Sequence, residues 1–235
     1  MTIAVVPKLV APAHRWIRPT WLLACAFLLA ACAGTAPPPD WQLNAQGALE
    51  RAEEAYLTGN SRIEAVEFAR ARAEIARTGR ADLLARAELV RCASRIASLV
   101  LDECTGFDRL AQDAAAPEQA YARYLAGQAG PQDSVLLPAQ HRAMTANGAG
   151  GAALAALEDP LSRLVAAGVL MRTGRADPQT ITLAIDAASA QGWRRPLLAW
   201  LGVLAQRAEQ AGDSDAVARI RRRMMLVGEG APGSP

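Results

Sequence analysis

Beyond residue 40 the apolar positions recur at intervals of three and four, the period of a helix that buries one side. Ile63, Val66, Ala69, Ala73 and Ala76 form one stripe, and Leu89, Cys92, Ile96 and Leu99 a second. Leu197, Leu201, Leu204, Ala208 and Ala211 form a third, and Val217, Ile220, Met224 and Val227 a fourth. Each stripe is read as a core-facing side, which puts Cys92 on one of them. Alanine, leucine, arginine and glutamate dominate, all good helix formers, and β-branched runs are missing. The pattern predicts helices near 41–58, 61–78, 82–100, 116–128, 135–146, 160–173, 178–191, 195–211 and 214–227.

The breaks between stripes are punctuated. Arg77-Thr78-Gly79-Arg80-Ala81-Asp82 recurs as Arg172-Thr173-Gly174-Arg175-Ala176-Asp177. In each copy the glycine can take the left-handed conformation that ends a helix, and the aspartate three residues on can cap the next one. The hexapeptides are read as short helix–helix turns rather than as ligand loops. Asp159-Pro160 and Asp177-Pro178 pair a capping aspartate with a proline suited to the first helical position. Gly59-Asn60-Ser61 and Gly212-Asp213-Ser214 mark similar turns. Connections this short make neighbours antiparallel. The predicted fold is therefore all-α, a run of antiparallel helical hairpins forming an α-solenoid or tetratricopeptide-like array over 41–227. Asn147 to Gly151 is its most flexible stretch, where two lobes would meet, and 228–235 is expected to be a loose tail.

The first forty residues read as an address and do not belong to the fold. Lys8, Arg15 and Arg18 give a positive leader, and Trp21 to Ala31 follows as an uncharged apolar run. A spanning helix needs roughly 20 apolar residues, so this run fits the core of a secretion signal. It ends in Leu29-Ala30-Ala31-Cys32. That tetrapeptide resembles the lipobox of bacterial lipoproteins, a branched apolar residue and two small ones before cysteine. The resemblance implies a signal peptide over 1–31, cleavage before Cys32 and lipid on Cys32. Leu22-Leu23-Ala24-Cys25 also ends in Ala-Cys, but cutting there would leave an apolar core of only about four residues, below the usual 7–15. In the same family an aspartate after the cysteine retains a protein in the inner membrane. Ala33 stands there instead, which implies a periplasm-facing position on the outer membrane. Residues 32–40, with Pro37, Pro38 and Pro39, read as an extended, semi-rigid tether.

Cleavage at Cys32 changes the charge balance. The 235-residue chain has 25 basic and 23 acidic residues, a formal charge of +2. Lys8, Arg15 and Arg18 leave with the leader, so 22 arginines and no lysine face 23 acids, a formal charge of −1. The basic balance belongs to the leader and gives no argument for nucleic acid. The lack of lysine is read as compositional bias. Export also sets the redox setting for Cys92 and Cys104, for which a disulfide becomes the default. Twelve residues of unbroken helix span about 18 Å, whereas bridged Cα atoms lie about 4.4–6.8 Å apart. The helix carrying Cys92 must therefore end before Cys104, with the chain turning back near Asp102 to Gly106. The alternative is two buried free thiols.

The segment from Gly47 to Gly79 resembles one tetratricopeptide hairpin, with Gly47, Tyr56 and Gly59 in its first helix and turn and Phe68 and Ala71 in its second. Trp200 to Val227 is similar, with Gly212-Asp213 at its turn. Glu64 stands where the family pattern has alanine, no Trp-x-x-Leu-Gly precedes Tyr56, and no 34-residue period runs through the middle. The resemblance implies helical hairpins that bind protein segments without doing chemistry.

Candidate chemistry is sparse. His141 has no second histidine beyond the leader to share a metal and is read as a surface or capping residue. Glu50, Glu53, Glu54, Glu64 and Glu67 alternate with Arg51, Arg62 and Arg70, as on a solvated, ion-paired surface. Arg219, Arg221, Arg222 and Arg223 complement a helix C-terminus, and Arg219 and Arg222 are candidate contacts for an acidic partner or lipid head groups. Trp193, Arg194 and Arg195 are candidates for an aromatic–cationic patch, with Trp200 expected in the core. No metal or cofactor is expected. The reading that results is a non-catalytic, membrane-anchored scaffold or adaptor for an envelope protein. A cell-wall-acting enzyme or modulator, built on an acidic cleft, and a structural envelope link are the alternatives.

Overall fold

The computed structural model describes residues 37–145 and 149–229, and all regular structure among them is helical. Helices α1 (Asp40–Leu57), α2 (Ser61–Ala76) and α3 (Ala81–Ala97) come first. The short α4 (Thr105–Asp108) and α5 (Ala116–Leu125) precede two 3-10 segments, Pro131–Asp133 and Ala139–Thr145. Then follow α6 (Gly151–Ala155), α7 (Pro160–Arg172), α8 (Pro178–Gln191), α9 (Arg194–Gln210) and α10 (Ser214–Glu229). The predicted pairing of consecutive helices is present: α1 packs on α2, α7 on α8, α8 on α9 and α9 on α10. The leader, Cys25 and Cys32 lie outside the described residues. The last proline of the tether, Pro39, is extended (φ −63°, ψ 150°) and immediately precedes α1.

Most of the predicted punctuation works as the residue types require. Gly79 and Gly174 are left-handed, at φ 67° and 69°. Asp159 and Asp177 accept from the backbone N–H of Ser162 and Thr180, each at 2.6 Å, with proline at the first helical position. Asn60 and Asp213 cap in the same way, onto Ile63 and Ala216. Asp82 does not. Helix α3 starts two residues earlier than the hexapeptide repeat predicts, so Asp82 sits inside its first turn and binds the Arg80 guanidinium at 2.9 and 2.6 Å. The two hexapeptides share a turn but not a cap.

The core is organised around α3 and α7. Seven successive residues of α7, Leu164 to Leu170, are buried, the mark of a helix enclosed on all sides. Helix α7 crosses α3 where Gly168 meets Ile96: a methyl group on Gly168 would lie 2.8 Å from Ile96 Cγ2 and 2.9 Å from its carbonyl carbon. Glycine is what permits this approach. Trp200 of α9, fully buried, donates its Nε1–H to the Ala97 carbonyl at 3.0 Å and so satisfies the end of α3. Leu89 and Ile96 before residues 147–151 and Leu164, Leu170, Ile181 and Leu201 after them share one hydrophobic cluster. The core therefore does not divide at 147–151. Residues 146–148 lie outside the described residues, Ala149 is buried, and Gly151 opens α6.

Three other expectations are corrected. No α-helix covers 135–146; Pro138 lacks an N–H and crowds the carbonyl one turn back, so the chain makes a 3-10 segment in which His141 N–H reaches the Pro138 carbonyl at 2.9 Å. The tail begins later than predicted, because Gly228 and Glu229 complete α10. The largest correction concerns α2. Its predicted core stripe faces solvent: Ile63 is 48% exposed, Val66 63%, and Ala69, Ala73 and Ala76 are also exposed. The buried side is Glu64, Phe68, Ala71 and Ile75. Burying a Phe or Ile side chain is worth about 1.5–3 kcal/mol. Phe68 with Ile75 outweighs Ile63 with Val66, provided the carboxylate buried with them is neutralised. Arg91 supplies that neutralisation.

Candidate functional site

Helices α1 and α2 pack closely along their length, but α2 diverges from α3. The gap is a trough of about 1220 Å³. One wall is α2, through Ala65, Phe68, Ala69 and Arg72; the floor is α3, through Glu88, Arg91, Cys92 and Arg95. The opposite wall is Val100 to Gly106 with Arg109 and Leu110. That wall exists because the chain reverses directly after α3. Leu99 is left-handed at φ 58°, unusual for a residue with a Cβ, and the Val100 N–H closes the turn onto the Arg95 carbonyl. The reversal brings Cys104 back to Cys92, and the two are disulfide-bonded with their Cα atoms 5.6 Å apart. The turn falls at 98–100, slightly before the Asp102 to Gly106 stretch that the sequence suggests.

The floor is held by buried ion pairs between neighbouring helices. Glu64 of α2, 5% exposed, accepts from Arg91 Nε at 2.7 Å and Nη2 at 3.4 Å. The Arg91 guanidinium also lies 4.5 Å from the centre of the Phe68 ring. Glu88 of α3, also buried, pairs with Arg72, and Glu118 of α5 with Arg86 at 2.5 Å. A charge buried without a partner would cost several kcal/mol; here each meets a planar guanidinium, the cation suited to such pairing. The all-arginine composition thus has a use inside the fold. Glu64 corrects the solvated-surface reading of the glutamates. Glu67 does pair at the surface, with Arg51 at 2.9 Å, and Glu50 and Glu54 are exposed. The trough is mixed in charge rather than acidic, with Arg72, Arg91, Arg95 and Arg109 among Glu88, Asp102 and Glu103.

A second group of titratable side chains lies inside the fold. Glu53 is pushed up to about 7, first by burial and then by Asp159, Glu54 and Glu50. His141 is 2% exposed, which corrects its reading as a surface or capping residue. Its ring stands 4.9 Å from that of Tyr124 and 5.7 Å from that of Tyr121. Burial pushes it down to about 4, so it is neutral at pH 7. Burial raises both tyrosines. Among the described residues no group of three or more His, Cys, Asp or Glu side chains gathers as a metal set.

The other predicted residues are engaged within the fold or lie at its surface. Trp193 donates Nε1–H to Glu54 at 3.1 Å. Arg194 donates to the Thr58 carbonyl at 3.0 and 2.6 Å, and Arg195 to the Tyr56 carbonyl at 2.7 Å while lying 4.3 Å from the centre of the Tyr56 ring. This triplet clamps the C-terminal end of α1, whose last carbonyls lack partners in their own helix. Arg219 and Arg222 are exposed on α10, whereas Arg221 pairs with Glu209 and Arg223 donates to Ser189. The trough residues Arg72, Arg91, Arg95 and Arg109 escape sequence reading; the available signal was Glu64, a carboxylate one turn before Phe68 where the tetratricopeptide pattern has alanine.

Comparison with protein-family models, with curated proteins and with solved structures finds no match for this chain. Among the described residues no helix is long and apolar enough to cross a membrane.

Proposed function

We propose that this protein is a lipid-anchored, periplasm-facing scaffold that binds a protein partner in the cell envelope through its N-terminal helices. The observation that carries the reading is the trough beside α2, three-walled and about 1220 Å³ in volume. Its α2 wall is formed by Ala65, Phe68, Ala69 and Arg72. A groove of this kind, lined by apolar side chains and fixed polar groups, suits an elongated protein segment. The lipobox-like Leu29-Ala30-Ala31-Cys32 and the proline tether support attachment through Cys32.

Two experiments test it. Intact-mass analysis of membrane-extracted protein is expected to show a chain beginning at an acylated Cys32, and C32S is expected to abolish acylation and processing. Affinity capture of the lipidated protein from crosslinked envelopes is expected to recover one reproducible partner, weakened by R109E in the trough. An unacylated mature chain would refute the anchor, and the absence of any reproducible envelope partner would refute the scaffold.

A further inference from the structure

The outward face of α2 specifies the chemistry of what it meets. At about 100° per residue, Val66, Ala69 and Ala73 lie opposite the buried edge marked by Glu64, Phe68, Ala71 and Ile75. The face thus presents one branched side chain at its centre, Ile63 beside it, and two alanines that let another helix approach closely. Its charge is one-sided. Every carboxylate of α2 is already paired: Glu64 with Arg91, Glu67 with Arg51 and Glu74 with Arg77. Arg62 and Arg70 stand on this same face, one turn before and one turn after Val66, are exposed, and make no hydrogen bond or ion pair among the described residues. They stand two turns apart, about 12 Å along the axis.

We propose that this face binds a helix of a partner protein that sets an apolar contact against Val66 between two carboxylates about two turns apart. The inference rests on the scaffold reading above and deepens it by naming the partner's chemistry. An anionic bilayer is a poorer fit. A helix that lies in a membrane surface carries Trp, Phe or Leu along its apolar side. Here two of the outward positions are alanines. Alanines gain little from lipid but allow close helix packing.

The test is a helical-peptide display library selected against the purified, full mature protein in detergent micelles. Enriched peptides are expected to carry leucine or valine at the contact with Val66, with aspartate or glutamate about one turn before and after it. Their affinity is expected to fall at least tenfold on R62E/R70E and on V66E, with the thermal melts of both variants unchanged. Enrichment of neutral or basic peptides, or of peptides that bind both variants like wild type, would overturn the assignment. So would failure to enrich any peptide. An environment-sensitive dye on V66C that shifts to the blue in phosphatidylglycerol proteoliposomes without peptide would assign the face to the bilayer instead. If the captured envelope partner survives R62E/R70E and V66E, this site is wrong and the scaffold reading stands; if no partner is captured at all, the scaffold reading itself falls.

Discussion

One substitution, made twice, tests the packing at the centre of the fold. Gly168 lies inside α7 and Gly202 inside α9. In an isolated helix, Gly to Ala stabilises by about 0.8–1 kcal/mol. At Gly202 an added methyl group meets nothing within 4 Å, so G202A keeps that gain. At Gly168 the methyl group would press on Ile96, whose carbonyl carbon stands at 2.9 Å and whose Cγ2 stands at 2.8 Å. The first of these belongs to backbone and cannot rotate away, so α3 and α7 must move apart. Overpacking of this kind costs about 1–3 kcal/mol or more, enough to reverse the helical gain. For a chain of this size 1 kcal/mol moves Tm by about 2–4 °C. Thermal melts followed by far-UV circular dichroism are expected to show G202A rising by about 2–4 °C and G168A falling by up to about 8 °C. Two shifts of the same sign, or a G168A that melts at or above wild type, would refute the α3–α7 contact as described.

Three further outcomes follow from other contacts. D177A, which removes the cap on Thr180, is expected to cost about 1 kcal/mol, whereas D82A, which breaks only an exposed pair, should leave the urea midpoint close to wild type; equal losses would contradict the different roles of the two hexapeptides. Reducing Cys92–Cys104, or replacing both with serine, is expected to lower stability by about 3 kcal/mol, with non-reducing peptide mapping to verify the bond. His141 and Glu53 oppose each other with pH. The folded state resists protonating His141 until about 4, against an ordinary 6.5, so stability falls as pH drops from 6.5, by about 3 kcal/mol in total. Glu53 takes its proton near 7 in the folded state against 4.5 unfolded, so its contribution is fully present below 4.5 and is lost as pH rises through 7. Between 4.5 and 6.5 the two slopes cancel in the wild type. E53Q is therefore expected to be more stable than wild type at pH 8 and to lose stability more steeply between pH 6.5 and 4.5; parallel pH curves would contradict the burial of both groups.

How much of this was legible in the sequence depended on whether the signal was local. Turns and most caps were, because Gly79, Gly174, Asp159 and Asp177 act within four residues of themselves. The bond between Cys92 and Cys104 was foreseeable for a similar reason, since helical rise forbids it unless the chain turns between them. The inward face of α2 was not. Periodicity finds an apolar stripe, but α2 has two candidates, and the winner is set by Phe68 together with an arginine 27 residues away. His141 failed likewise, because its burial depends on rings from α5. Trp193, Arg194 and Arg195 read in the sequence as an aromatic–cationic patch open to a partner, whereas their contacts lie within the fold, more than a hundred residues upstream. The trough is a gap between helices, and no residue pattern encodes a gap directly.

The clamp on α1 also dictates an order of events. The carbonyls of Tyr56 and Thr58 are completed by arginines 139 and 136 positions later, and the end of α3 by a tryptophan 103 positions later. A chain made from its N-terminus can form the α1–α2 hairpin early, as soon as α3 supplies Arg91 to Glu64. It cannot finish either helix end until α9 has emerged. Contacts spanning such long loops slow folding and leave apolar surface uncovered meanwhile. A fragment ending before residue 193 would keep both open ends, so premature termination or clipping there yields a species that is helical but incomplete and prone to self-association. The C-terminal third thus acts as a checkpoint on the N-terminal third.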